Sequence, residues 1–364
     1  MALKLKTLLF LLVMLPLVLP AQSVSWPSPE VEQMYRQARE QHSRGNLNQA
    51  ITLYKQTINL APSIMLLHRE LGQALYLSGS YEEAISTLQA VIEAGAADEE
   101  AYHITVSSLM SKNDRKKARN LLKDGLERYP HSGLLYHLSG KIYESDDKPE
   151  EALAAWLAGI ENDPAYHINY YEAAKAYAGT DHPVWTIIYG EMFVNIEQQT
   201  PRSHDVRKMI IGAYKKMYQS VGSEEVQKYG TVTYSRAGDF EQAIQQTYMK
   251  LAPVVADGFT AENLAMLRTR FIMDWQVKGY ATRYPLSLFS RHDDMIRNGY
   301  FDIYNQWLFG KAENPQGFEA WTKFHPDAMP DMEDYFKTKP YRPVAKDFHN
   351  DKDVEDIFKK KKKS

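Results

Sequence analysis

Cysteine is absent from the 364 residues. Its absence excludes a disulfide scaffold, a zinc ribbon, a thiol nucleophile and a lipid-modified N-terminal cysteine. Charge of one sign is lacking too. The 43 Lys and Arg stand against 46 Asp and Glu, a net −3 that gives nucleic acid no basic surface to follow. Beyond residue 20 no apolar run approaches the roughly 20 residues of a membrane-spanning helix. Glycine-rich phosphate loops, a Gly-x-Ser-x-Gly elbow and a His-Glu-x-x-His pair are all missing. His292, Asp293 and Asp294 are consecutive, so on a helix they point apart. Asp327 and Asp331, beside His325, suit the start of a helix. No cofactor, metal or catalytic site is expected, and the chain reads as a non-enzyme. What is plentiful is aromatic surface, with 24 Tyr, and an apolar share of 44% that rules out a disordered chain.

The two ends carry their own signals. Lys4 and Lys6 precede the apolar stretch 8–19, which Pro16 interrupts, and Ala21, Ser23 and Ser25 follow. This is the layout of a secretory signal peptide, with cleavage after Ala21 or after Ser23. The mature chain is therefore expected to be exported, periplasmic or extracellular, and not a lipoprotein. At the other end Lys359, Lys360, Lys361, Lys362 and Lys363 precede Ser364. A like-charged run stays solvated, and this one offers peripheral contact with an anionic membrane.

Between the ends the chain repeats itself every 34 residues. Ala50, Ala84, Ala118 and Ala152 fall on this grid, as do Pro62, Pro130 and Pro164, with Ala96 at the missing proline. Twelve positions ahead of the alanines lie Ala38, Gly72, Val106 and Gly140. Small residues let paired helices approach closely, and proline ends the second helix of each pair. The turn between helices reads Gly45, Gly79, Asn113, Asp147 and Asp181, all tolerant of left-handed backbone. Tyr54, Leu88, Leu122 and Trp156 are expected to fill the seam between neighbouring copies. On these columns the chain resembles the tetratricopeptide repeat (TPR) family, whose unit is a helix–turn–helix of about this length. Copies run 31–64, 65–98, 99–132 and 133–166, with a degenerate fifth at 167–200, where Thr186 replaces the alanine.

The fold class expected is all-α: a TPR superhelix of antiparallel helix pairs followed by a compact helical C-terminal region. Residues 1–21 are the signal peptide, 31–200 the repeats and 201–258 an irregular helical continuation. Gly238 to Ala243 repeats the turn-plus-helix signature of Gly79 to Ala84 there. Residues 259–343 read as an aromatic-rich helical cap and 344–364 as a tail. Thr260 suits a helix cap, and helices are expected over 286–298, 300–309, 315–324 and 328–338, with Gly299, Gly310, Pro326 and Pro340 as punctuation.

The resemblance implies binding along the first helices of the pairs. That face would present Arg39, Arg69, Gln73, His103, His137, Lys141, Tyr171 and Lys175, a basic and aromatic stripe suited to an acidic or C-terminal segment. TPR modules that clamp a terminal carboxylate carry a Lys–Asn pair in the first repeat and a Lys–Arg pair in the third. Tyr35 and Arg39, then Glu100 and Ile104, stand at those positions here, so that activity is not carried over. The expected role is an adaptor or scaffold for another envelope or secreted protein or peptide, tested by charge reversal at Arg69 and Lys141. The alternative is glycan binding through the aromatic second half.

Overall fold

The structure is a computed structural model that describes residues 25–219 and 239–349. The expected signal peptide, the lysine run and the stretch 220–238 lie outside the described residues. Five helix pairs follow the sequence period: α1 (Pro29–Ser43) with α2 (Leu47–Leu60), α3 (Met65–Leu77) with α4 (Tyr81–Glu93), α5 (Glu99–Ser111) with α6 (Arg115–Arg128), α7 (Gly133–Ser145) with α8 (Pro149–Asn162), and α9 (Ile168–Ala178) with α10 (Pro183–Ile196). The second helices start at Leu47, Tyr81, Arg115, Pro149 and Pro183, every 34 residues. No strand occurs among the described residues. The chain divides into two compact units, one ending at Val91 and the other beginning at Ile92.

The grid alanines are sealed in, with Ala50, Ala84 and Ala118 at 0% exposure and Ala152 at 1%. Gly72 and Gly140 show why their column is small. A Cβ on Gly72 would meet the Leu88 side chain at 2.4 Å, and one on Gly140 would meet Trp156 Nε1 at 2.0 Å. Leu88 and Trp156 thus fill the space within their own helix pair rather than the seam between copies. Tyr54 does reach across, its hydroxyl donating to Glu70 of the next copy at 3.4 Å.

Four turn residues hold the left-handed backbone: Gly45 and Gly79 at φ 79° and 81°, Asn113 and Asp147 at φ 61° and 56°. Asp181 does not. The fifth turn is built by Thr180, whose hydroxyl donates to the Tyr177 carbonyl and accepts from the His182 N–H. A side-chain turn of this kind replaces the left-handed residue.

The fifth pair departs from the others in burial as well. Every residue of α10 from Pro183 to Asn195 is buried. A helix enclosed on all sides belongs at the centre of a core, not at the surface of a stack. Around it pack α9, α11 (Pro201–Gln219) and α12 (Asp239–Met249). The remaining helices are α13 (Ala261–Val277), α14 (Tyr280–Arg283), α15 (Ser287–Arg297), α16 (Phe301–Asn305), α17 (Lys311–Glu313), α18 (Pro315–Phe324) and α19 (Ala328–Thr338). One apolar cluster runs from Ala152 in α8 to Phe336 in α19. The aromatic C-terminal helices therefore share a core with the repeats of their unit.

Thr260 caps α13 as the sequence suggests, its hydroxyl accepting from Asn263 N–H at 3.2 Å. Gly310 differs from expectation. It does not stop the helix but lies in a π-helical turn, residues 306–310, that leads straight into α17. Its missing Cβ admits Phe318, whose ring would otherwise stand 2.5 Å away.

Candidate functional site

In the first unit, Arg39 and Arg69 converge on Tyr35. The Arg39 guanidinium lies 5.9 Å from the Tyr35 ring centre. Burial raises the Tyr35 pKa and Glu70 adds to the rise, while the charges of Arg39 and Arg69 oppose it. Tyr35 itself is in the core at 8% exposure. Gln73, half-buried, follows Arg69 by one turn of α3.

The second unit gathers His137, Lys141 and Lys175 around one carboxylate that the sequence reading passed over. Glu172, on α9, is 6% exposed. His137 Nε2 lies 3.7 Å from its Oε1, Lys141 Nζ 3.6 Å from the same atom, and Lys175 Nζ donates to its Oε2 at 3.1 Å. Burial alone would push the Glu172 carboxyl up. Its bond with His137 and the charges of Lys141 and Lys175 outweigh this and bring it down to about 2. Lys141 and Lys175 also pair with Glu144. The stripe is therefore less basic than its lysines suggest, because much of that charge is matched inside the fold.

Tyr171 sits one residue before this hub with two cations near its ring. Lys175 Nζ is 5.6 Å and the Arg202 guanidinium 5.8 Å from its ring centre. Arg202 is fixed by a two-point bond to Glu197, Nε to Oε1 at 3.0 Å and Nη2 to Oε2 at 2.9 Å. His167 Nε2 shares Glu197 Oε2 with Arg202, at 2.8 Å, and the Thr200 hydroxyl donates to Oε1. Burial raises the Glu197 carboxyl, but Thr200, Arg202 and His167 together lower it. Tyr166 continues the face between His137 and His167, and the buried Phe193 backs His167 and Tyr171 from the core.

His103 stands outside this group. Its nearest acid is Glu100 at 3.5 Å, and its buried Nδ1 has no hydrogen bond. A signal for Glu172 was present in its spacing of three from Lys175, a pairing distance on a helix. Arg202 and Glu197 carried no such signal, because they lie past the regular repeats and reach the face through the α10–α11 corner.

A second cluster of titratable groups is wholly interior. Glu191 Oε1, on α10, accepts from Arg268, from His292 Nε2 at 2.8 Å and from the Tyr304 hydroxyl at 2.7 Å. Asn195 Nδ2 donates to the same hydroxyl at 2.7 Å, and Arg268 Nη1 donates to Asn305 Oδ1 at 2.5 Å. Burial would raise the Glu191 carboxyl, but Arg268 and His292 hold it down at about 2. The adjoining cavity, about 10 Å³ and lined by Val184, Ile188, Leu288 and Phe289, has room for about one water. This network ties α10 to α13, α15 and α16. Asp293 and Asp294 point elsewhere, to Arg297 and to Tyr335 with Lys339. Among the described residues no three His, Asp or Glu group as metal ligands would, and no helix is long and apolar enough to cross a membrane.

Fold and period define an α-helical repeat protein built of stacked pairs. Residues 35–99 match the family model described as tetratricopeptide repeat, and the chain carries tetratricopeptide repeats. Solved structures similar to it include the MamA protein, with 18% identity over 57% of this chain and 100% of that one at a TM-score of 0.37. Another is pilF of Pseudomonas aeruginosa, with 15% identity over 55% and 96% at a TM-score of 0.43. A third is a tetratricopeptide repeat protein of Parabacteroides merdae, with 14% identity over 72% and 97% at a TM-score of 0.40. Likeness at this level bears on neither partner nor activity. No curated protein matches the chain.

Proposed function

We propose that this chain is a non-catalytic adaptor, exported to the cell envelope or beyond, that holds a segment of another protein against the first helices of its pairs. The carrying observation is Tyr171, with Lys175 and Arg202 both close to its ring and each held by an acid, the buried Glu172 and the partly buried Glu197. Those acids fix long side chains before a partner arrives. Docking then costs little further side-chain entropy, which is where a preformed surface gains affinity. Because much of the lysine charge is matched internally, hydrogen bonding and ring contact carry more of the recognition than net positive charge does. The N-terminal leader pattern supports the export, and the lysine run adds a means of staying near an anionic surface.

The test is a crosslinking pull-down from the envelope fraction with the mature chain. Charge reversal at Lys141 is a poor probe, since it would set an acid against Glu172. Tyr171→Ala, Arg202→Gln and Arg69→Glu avoid that. Capture of a defined protein, lost in the Tyr171 and Arg202 variants at unchanged helicity, is the expected result. Capture that survives all three removes this face as the binding surface.

A further inference from the structure

The outer side of α13 is apolar where a surface helix is ordinarily polar. Met266 is 49% exposed, Met273 60% and Val277 88%, at spacings of seven and four that place them in one stripe. Across from it stands α18, a ten-residue helix with no buried residue. Its Phe318 leans on Gly310, while Trp321 stacks on His325 at 4.5 Å and Phe324 is 83% exposed. A helix this short has little stability by itself. Between the two lies a groove of about 840 Å³, floored by Ala265 and Ile303 and walled by Met266, Met273 and Trp321.

The rim has a sign. Glu262 and Asp302 line the groove with Arg270, and His325 lies at its α18 side. Gln306 Nε2 donates to Glu262 at 2.5 Å but brings no charge. Glu313 lies close enough to feel Glu262: burial raises its carboxyl first, Glu262 raises it further, and Lys215 only partly opposes. Glu262, Asp302 and Glu313 thus outnumber Arg270 and Lys215 around the α17 end of the groove, beside an apolar trough.

We propose that this groove is a second interaction surface, which receives an amphipathic helix of a partner protein with apolar residues in the trough and lysines or arginines over Glu262, Asp302 and Glu313. Methionines suit such a role because their flexible side chains refill an irregular surface, and two flanking helices give the geometry of helix-in-groove recognition. The surface uses none of the residues of the Tyr171 face and stands or falls separately from it.

The probe is a labelled leucine–lysine peptide of about 14 residues with leucines at i, i+3, i+4 and i+7, long enough to run beside the exposed stripe. It is titrated into the full chain by fluorescence anisotropy. Two controls accompany it, the same pattern with glutamate in place of lysine, and the same composition with the leucines scrambled. Saturable binding of the first peptide alone is expected, weakened about tenfold or more by Met273→Lys or Trp321→Ala, as loss of a central anchor does. Met266 and Met273 are too exposed for their replacement to unfold the protein. Binding that ignores both substitutions, or is equal for the glutamate peptide, overturns the proposal. So does a dimer of the full chain that Met273→Lys dissolves, which would make a second copy the occupant. Glycan binding lost in Trp321→Ala, with no peptide bound, would overturn it as well.

Discussion

Glu172 shows how a single carboxylate organises a surface. With His137, Lys141 and Lys175 all directed at it, Glu172→Gln leaves three donors facing a neutral amide, but the two lysines are 39% and 43% exposed and rehydrate, so the cost should be about 1–2 kcal/mol rather than that of a fully buried pair. Urea unfolding followed by circular dichroism measures that loss. Its pH dependence has a defined sign. The carboxyl is held at about 2, below its ordinary 4.5, so the stabilisation is complete above pH ~4.5 and is lost as pH falls towards 2. An acid-unfolding curve of Glu172→Gln flatter than the parent's through that window is the expected outcome. At Asp147 the direction reverses. It holds φ 56° without the Cβ freedom of Gly45 and Gly79, so Asp147→Gly should raise stability by about 1 kcal/mol, read as a higher urea midpoint. The need for left-handed backbone was legible from the column of turn residues through Asp147. It failed at Asp181 because a hydroxyl two residues from the helix end, Thr180, supplies the turn by another route.

Among the elements, each pair depends on size matching between one small and one large position. Gly140→Ala should cost about 1–3 kcal/mol, because the new methyl enters the Trp156 indole. The third copy pairs Val106 with Leu122, both buried, so Trp156→Leu should be better tolerated with Gly140→Ala than alone. A double-mutant cycle in urea measures this coupling, expected at about 1 kcal/mol. Glu191→Gln in α10 should be more damaging. It strips a buried Arg268 of its counter-charge at a cost of about 3–5 kcal/mol, whereas replacing Glu191 and Arg268 together by methionine should recover most of that. Helix periodicity located α13, α15, α18 and α19 within a residue or two, because caps and turn residues bound them locally. It could not locate the Glu191 network, whose Arg268, His292 and Tyr304 lie 77 to 113 residues from Glu191 along the chain. Nor did it read Gly310, which serves a ring arriving from α18 rather than the end of its own helix.

At the scale of the molecule, the repeats from 31 to 166 behave as copies of one unit, and the fifth does not. Its second helix has exchanged a repeat's exposed outer side for burial on every side. Acid should therefore act unevenly. Burial lowers the His292 pKa, so as pH falls below the ordinary 6.5 the unfolded chain takes the proton before the folded one does and the fold around α10 loses stability, down to the reduced pKa, while the first unit has no buried histidine of this kind. Hydrogen exchange between pH 7 and 4 should show α10, α13 and α15 losing protection before α1 and α2 do. The enclosure of α10 also limits how such a chain can lengthen by duplication. A repeat inserted between existing copies, within 31–166, meets the same small-residue columns on either side and can stack. One inserted after residue 200 would find no open helix face, since the side it needs is already filled by Phe240 and Ile244 and by Leu288 and Tyr304. New copies can therefore enter this array only upstream of its fifth pair.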